Sequence, residues 1–355
     1  MTLEDLRYSA ELEKYRVDQK LNIFHVGRVV SEHKDCYIVM TQSGEYDSEL
    51  VGKLRYTAEN RHELPAVGDW VAISDYDENK ALIHSIYPRH SIIERQSVGK
   101  SSQKQLIATN IDYGLIVLAV NRDFSINRLE RYLTICNDSN VEPVIVLSKI
   151  DLIGEAELKT LLTQISHRIN NVPVLALSNK SKIGMDRISA LIKKGKTYCL
   201  LGSSGVGKST LLNSLTGKEK LKTAPISQRI DRGKHITSHR EMIVLDKSGI
   251  IIDNPGMREV GIADATAGLE FTFDSIAVLA QRCKFKDCTH IIEKGCAILE
   301  ALESGELNKD SYDNFQKLQR EKSHFEATLS EKRKKDKEFG KMIKKVVKEK
   351  RQNKF

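Results

Sequence analysis

Between residues 22 and 94 the apolar positions come in short runs separated by turn residues. Runs at 24–30, 36–40, 68–73 and 81–86 are rich in Val, Ile, Tyr and Phe, the residues that fit a pleated, half-buried surface. About five such strands in roughly 70 residues fit a small closed barrel of the OB type, and an SH3-like barrel or a small sandwich gives a similar pattern. The pattern changes near Lys104. Residues 113–120 (Y-G-L-I-V-L-A-V) form a continuous apolar run, the mark of a strand buried on both faces of a parallel sheet. Helical periodicity follows over 126–136, then a strand over 141–147, a helix over 155–169, a strand over 172–177, a helix over 185–193 and a strand over 197–201. Two more strands, 242–245 and 250–253, complete an alternation that predicts a doubly wound α/β unit. Beyond Gly261 the strands stop, and helices are expected at 274–282, at 297–304 and from 311 onward.

Charge refines this picture at one end. The 355-residue chain carries +8, and residues 331–355 hold 12 Lys or Arg against 4 Asp or Glu, so the whole excess sits in that tail. A basic tail suits an anionic partner, RNA first and a membrane surface second, or is simply a solvated helix end. The first 20 residues are highly charged without an apolar core, and no run approaches the ~18 apolar residues of a membrane span. A soluble, cytoplasmic protein is expected. Of six cysteines, Cys36, Cys136 and Cys199 are scattered, whereas Cys283, Cys288 and Cys296 cluster around His290. Without a secretion signal, such clustering favours a metal over disulfides.

The clearest chemistry lies at Gly202-Ser203-Ser204-Gly205-Val206-Gly207-Lys208-Ser209, which matches G-x-x-x-x-G-K-[ST] between an apolar strand and a helix beginning near Thr210. Glycines let backbone N–H groups turn inward around phosphates, and the helix N-terminus adds favourable partial charge. Lys208 is placed to reach the β- and γ-phosphates and Ser209 to ligate Mg²⁺. This loop alone does not separate GTP from ATP.

Ser148-Lys149-Ile150-Asp151 ends a buried strand, where open α/β sheets bind ligands, and it resembles the N-K-x-D element of GTPases. Asp151 can accept from both N1–H and the 2-amino group of guanine, whereas adenine leaves the carboxylate partly unpaired. Lys149 would lie across the base. Ser178-Asn179, again at a strand end, resembles the loop that offers a backbone N–H to guanine O6. Asp253-Asn-Pro-Gly256 matches D-x-x-G, with Asp253 holding Mg²⁺ through a water and the Gly256 N–H sensing the γ-phosphate. Met257 follows, where many GTPases carry a water-orienting Gln, so slow basal turnover is expected. Between these motifs, residues 231–241 (D-R-G-K-H-I-T-S-H-R-E) resemble a first switch, with Thr237, or alternatively Ser238, on Mg²⁺. His235 could accept from the attacking water or be a solvent-exposed imidazole.

Cys283-x₄-Cys288-x-His290-x₅-Cys296 offers three thiolates and one imidazole, the complement of a closed structural Zn²⁺ site. Arg282, Lys284, Lys286 and Lys294 surround it, compatible with an RNA-facing surface.

The order of these elements, base reader before phosphate loop and metal cluster last, resembles the ribosome small-subunit-dependent GTPase A family, bacterial circularly permuted GTPases. The resemblance covers nearly the whole chain, and the zinc pattern after D-N-P-G-M-R-E makes it specific. It implies an α/β P-loop GTPase domain, circularly permuted with a mostly parallel sheet, at 98–263. An arm and OB-type β-barrel would occupy 1–97, and a helical zinc-binding domain with its basic tail 264–355. It further implies a GTPase that binds the small ribosomal subunit and its rRNA late in maturation, is stimulated by it, and uses His235 catalytically. One structural Zn²⁺, Mg²⁺ with GTP or GDP, a monomeric state and no membrane association complete the expectation. Ser148 for Asn, Ile236 in a usually Thr-rich loop and Asn254 for Thr depart from the family pattern. Two other classes stay open on the residues alone: an RNA-binding module using GTP as a structural ligand, and a P-loop kinase or ATPase.

Overall fold

A computed structural model of the chain describes residues 2–33, 36–96, 104–121, 124–217, 241–245, 249–253 and 265–326. The polar arm forms helix α1 (Ala10–Asp18), started by the Ser9 hydroxyl accepting from the Leu12 N–H. Five strands follow: β1 (His25–His33), β2 (Cys36–Met40), β3 (Glu45–Leu50), β4 (Trp70–Asp77) and β5 (Lys80–Ile86), with helix α2 (Gly52–Thr57) after β3. They pair in the circular order β1-β2-β3-β5-β4-β1, antiparallel except for β3–β5. The sheet therefore closes on itself as a five-stranded barrel, and alternate residues Val29, Val39, Val71, Ile73, Ala81 and Ile83 fill it. Strand β3 did not announce itself because its inward positions are Tyr46, Ser48 and Leu50, with only Ser48 fully buried and a polar residue between the two apolar ones, so its alternation is too weak to read.

A hairpin of β6 (Ile92–Gln96) and β7 (Lys104–Thr109) leads out of the barrel, and the expected boundary at 97/98 falls between its two strands. The α/β part then runs β8 (Tyr113–Ala119), α3 (Ile126–Asp138), β9 (Glu142–Ser148), α4 (Glu155–Arg168), β10 (Val174–Ala176), α5 (Met185–Leu191), β11 (Thr197–Leu201), α6 (Lys208–Thr216), β12 (Glu241–Val244) and β13 (Ile250–Asp253). The strand order is β10-β9-β8-β11-β13-β12, all parallel except β12 against β13. Apolar clusters cover both faces of this sheet, which is why β8 and β11 read as unbroken apolar runs.

The barrel and this sheet are not independent bodies. Strand β1 pairs with β12 through Ser31 and Glu241, and Val26, Val30, Val67, Trp70 and Ala72 share one core with Ile116, Leu118 and Cys199. At their junction lies Arg28, completely buried, donating to the carbonyls of Leu6, Gly68 and Asn110 and to Thr197 Oγ1. One guanidinium thus joins the N-terminal arm, the barrel and the first residue of β11. Its five fixed donors suit such a multi-way tie better than an ammonium.

Helices α7 (Thr266–Thr272), α8 (Asp274–Ala280), α9 (Ala297–Glu303) and α10 (Lys309–Glu326) form the C-terminal part around Phe273, Ile276, Ile298, Leu307 and Leu318. The last three match the expected helices; α7 was not anticipated. It lies against α3, where a Cβ on Gly268 would sit 2.2 Å from Thr134 O, so glycine is what lets the two backbones meet. The basic tail beyond 326 lies outside the described residues. Among those residues no helix is long and apolar enough to cross a membrane.

Candidate nucleotide-binding site and metal centre

Strand β11 is buried throughout and delivers the chain to Gly202 at the end of the sheet that α/β folds use for ligands. Gly202 has φ +142°, and a Cβ there would meet Val117 O at 2.3 Å. The loop of Ser203, Ser204, Gly205, Val206 and Gly207 then turns into α6, whose first turn carries Lys208, half-buried Ser209 and exposed Thr210. Lys208 is 7% exposed, and its Nζ donates to Gly202 O at 2.7 Å and Ser203 O at 2.8 Å. Burial pushes its pKa down, against the opposing pull of Asp253. Asp253 ends β13 in register with Leu200 of β11, so the candidate Mg²⁺ residue stands beside the strand that enters the loop.

The base-reading motif is tied to this loop from the neighbouring strand end. Ser148 Oγ lies 2.6 Å from Val206 O and 3.2 Å from Leu118 O. Lys149, in the left-handed region at φ 61°, donates from Nζ to Gly205 O at 2.6 Å. Ile150 and Asp151 sit in a short 3₁₀ turn, and Asp151 Oδ1 accepts from Ser178 Oγ at 2.5 Å. The same Ser178 oxygen accepts from the N–H groups of Lys180 and Ser181, so one hydroxyl folds the loop and orients the carboxylate. Asn179 stands next to it, its Nδ2 near Gly207. Residues 148–151, 178–179 and 202–209 therefore form one cluster at one end of the sheet. His235, Thr237, Ser238 and Gly256 lie outside the described residues, as do Asn254 and Met257.

Helix α3 adds a contact the sequence did not disclose. The Tyr132 hydroxyl shares a hydrogen bond with Ser203, yet in the sequence Tyr132 looked like one more core residue on the apolar face of a helix. The same helix carries the C-terminal part. Glu130 pairs with Arg168 and accepts from Asn314, Arg131 makes a bidentate pair with Glu321, and Asn137 donates to Thr272. One helix thus touches both the phosphate loop and helices α7 and α10 of the C-terminal part.

Cys283, Cys288, His290 and Cys296 bring their ligand atoms within 4.8 Å of one another. His290 Nδ1 is 3.5 Å from the sulfurs of Cys283 and Cys296, which are 3.8 Å apart. Four donors around one tetrahedral ion, with metal–sulfur bonds of about 2.3 Å and a metal–nitrogen bond of about 2.0 Å, require separations of this size. The set can hold a metal ion. Tyr312 of α10 donates to His290 O, and the Glu293 carboxylate accepts from the N–H groups of Thr289, Ile291 and Ile292, so the loop is braced by its own backbone.

The family model for RsgA GTPases matches residues 86–263. A model for ABC transporters matches 185–350; that stretch includes the phosphate loop but not Ser148–Asp151. Relatives named small ribosomal subunit biogenesis GTPase RsgA align along most of their length. The RsgA 2 of Lactiplantibacillus plantarum is 41% identical over 91% of this chain and 91% of its own. The RsgA 1 of Bacteroides thetaiotaomicron is 38% identical over 94% and 93%. Among solved structures, YjeQ from Thermotoga maritima superposes with a TM-score of 0.63 at 25% identity, covering 83% of this chain and 96% of its own. YloQ, a circularly permuted GTPase, shares the fold at 0.61, with 24% identity and coverage of 86% and 97%.

Proposed function

Because this chain belongs to the RsgA GTPase family, we propose that it hydrolyses GTP to GDP and phosphate during late small ribosomal subunit biogenesis, with the subunit stimulating turnover. The observation that carries the guanine reading is Asp151, oriented by Ser178 and joined to the phosphate loop through Ser148–Val206 and Lys149–Gly205. A carboxylate fixed in this way pairs with the two donors on one guanine edge and is left short by adenine.

In this reading Lys208 and the N–H groups of Gly202–Ser209 and Thr210 hold the phosphates. Before binding, Lys208 rests on two loop carbonyls, a position from which a short swing brings it to the β- and γ-oxygens. Ser209 and Thr237 would hold Mg²⁺, with Asp253 reaching it through a water, and the ion would supply positive charge where negative charge gathers during phosphoryl transfer. His235 would orient the attacking water. We divide the chain into an RNA-gripping barrel and arm (1–97), the GTPase (98–263) and a second RNA-binding part (264–355), acting as a monomer in the cytoplasm. His235→Ala is expected to keep GDP affinity within about twofold and to lose subunit-stimulated phosphate release by about 100-fold or more. Stimulated turnover at the parental rate would remove His235 from the mechanism.

We assign the C-terminal metal as one structural Zn²⁺, since three thiolates and an imidazole with no spare position suit zinc and close the site to substrate. Elemental analysis is expected to find one zinc per chain, absent from Cys283→Ser. Chelation should melt α8, α9 and the start of α10, read as loss of helical signal and of amide protection there. GDP binding should survive it. An unchanged protection pattern after complete metal removal would refute a structural role.

A further inference from the structure

The guanine site described above leaves one acceptor of the base unread. In the proposed reading Asp151 would take the N1–H and 2-amino donors, and a backbone N–H of the Ser178–Asn179 loop would take O6. The remaining acceptor on that side of the purine is N7. Ser148 does not serve it. Its side chain is buried, and its hydroxyl lies within 2.6 Å of Val206 O and 3.2 Å of Leu118 O, so its one proton is directed into the protein.

Asn179 is differently placed. Its Nδ2 lies 3.7 Å from the position a Cβ would occupy on Gly207, next to Lys149 Cε at 3.9 Å. The carboxamide therefore lies beside the start of α6, where the Lys149 side chain also comes close to the phosphate loop. Its Oδ1 is buried and has no hydrogen-bond partner. A buried amide end without a partner is costly, and native structures retain one where a ligand or water completes it. An amide can also turn by half about its last torsion, presenting either its donor or its acceptor at that position.

We infer that Asn179 is a base-positioning residue whose carboxamide donates to N7 of the bound guanine. The inference rests on the guanine reading of Asp151 and adds a separate role to it. Adenine also carries N7, so Asn179 contributes affinity for a purine without choosing between guanine and adenine. That choice stays with Asp151, and the two contributions are separable by nucleotide analogues.

The experiment compares calorimetric binding of GDP, 7-deaza-GDP (no N7 acceptor) and IDP (no 2-amino group) to the full-length protein and to Asn179→Ala. For the parent protein, 7-deaza-GDP should bind about five- to tenfold more weakly than GDP, the size of one lost neutral hydrogen bond. Asn179→Ala should lose about the same factor for GDP, treat GDP and 7-deaza-GDP alike, and still prefer GDP over IDP. Equal binding of GDP and 7-deaza-GDP by the parent protein would overturn the inference, as would an unchanged 7-deaza penalty in Asn179→Ala. A parent protein that does not prefer GDP over IDP refutes the reading of Asp151 first, and the role of Asn179 falls with it. Because the first comparison uses the unmodified chain, the result does not depend on how the variant folds.

Discussion

Asp151→Asn is expected to weaken GDP binding by about 100-fold and to turn the site toward xanthosine diphosphate. The carboxylate offers two acceptors to two guanine donors. An amide offers one acceptor and one donor, so its NH₂ confronts the 2-amino group of guanine, donor against donor. Losing one charge-assisted hydrogen bond and desolvating an unmatched donor costs about 3 kcal/mol, which is about two orders of magnitude in affinity. Xanthine carries a carbonyl oxygen at the 2-position, which the new NH₂ can satisfy. Ser178 does not oppose the change, because the hydroxyl that donates to Asp151 Oδ1 can donate to an amide oxygen in the same place. Binding of GDP and XDP to both proteins measures the switch. A variant that binds GDP as tightly as the parent would remove Asp151 from the site.

The second large effect concerns stability. Arg28→Ala is expected to destabilise the protein by about 3–5 kcal/mol. Burial pushes the Arg28 pKa down to about 9, still above neutrality, so the group that the fold encloses at pH 7 is a cation. It is held by three carbonyls and a hydroxyl and lies against the Trp70 ring, 5.6 Å from its centroid. Truncation removes this donor from the Leu6 and Asn110 carbonyls and the Thr197 hydroxyl, while the Gly68 carbonyl keeps Asn110 Nδ2, and it opens a cavity where arm, barrel and β11 meet. The midpoint of thermal unfolding should fall by on the order of 10 °C. Lysine should rescue little, since a single ammonium cannot span the same acceptors. A shift under about 2 °C would mean that water replaces the guanidinium and that the junction is held by its apolar contacts alone.

What could be read in the sequence was what is local. The phosphate loop needs a strand, glycines at its turn and a helix in one short stretch, and each piece leaves its own mark between Thr197 and Thr216. The cysteine cluster likewise spans only 283–296. The barrel was legible as several β-rich runs, but the pairing that closes it was not. The inward face of β3 is Tyr46, Ser48 and Leu50, with a polar residue between the two apolar ones, and β6 and β7 are known by their antiparallel pairing rather than by a periodic pattern. Helix α7 escaped because its distinguishing feature is Gly268 against Thr134 O, a fit with a helix more than a hundred residues earlier. Arg28 and Tyr132 were hidden for the same reason. Their partners Thr197 and Ser203 are distant in the chain, and a buried arginine reads in sequence as an ordinary surface charge. At Ser148 the sequence showed a departure from the family pattern, and the structure supplied its consequence: a hydroxyl turned toward the phosphate loop, with a free carboxamide one loop away.

The circular permutation places the Ser148–Asp151 motif upstream of the phosphate loop and the helices around the Cys/His cluster downstream. Between Asp253 and those helices the chain passes through residues 254–264, which lie outside the described set. Helix α3 is a second physical connection between the two. It meets Ser203 through Tyr132, and it meets the C-terminal helices through Glu130, Arg131 and Asn137.

The proposed function requires that the small ribosomal subunit complete this GTPase. Its most direct test is the rate of phosphate release from GTP by the full-length protein, alone and with purified small subunits. Slow release alone, rising on the order of tenfold or more with small subunits and unchanged by large subunits, is the predicted result. Equal rates with and without small subunits would contradict it.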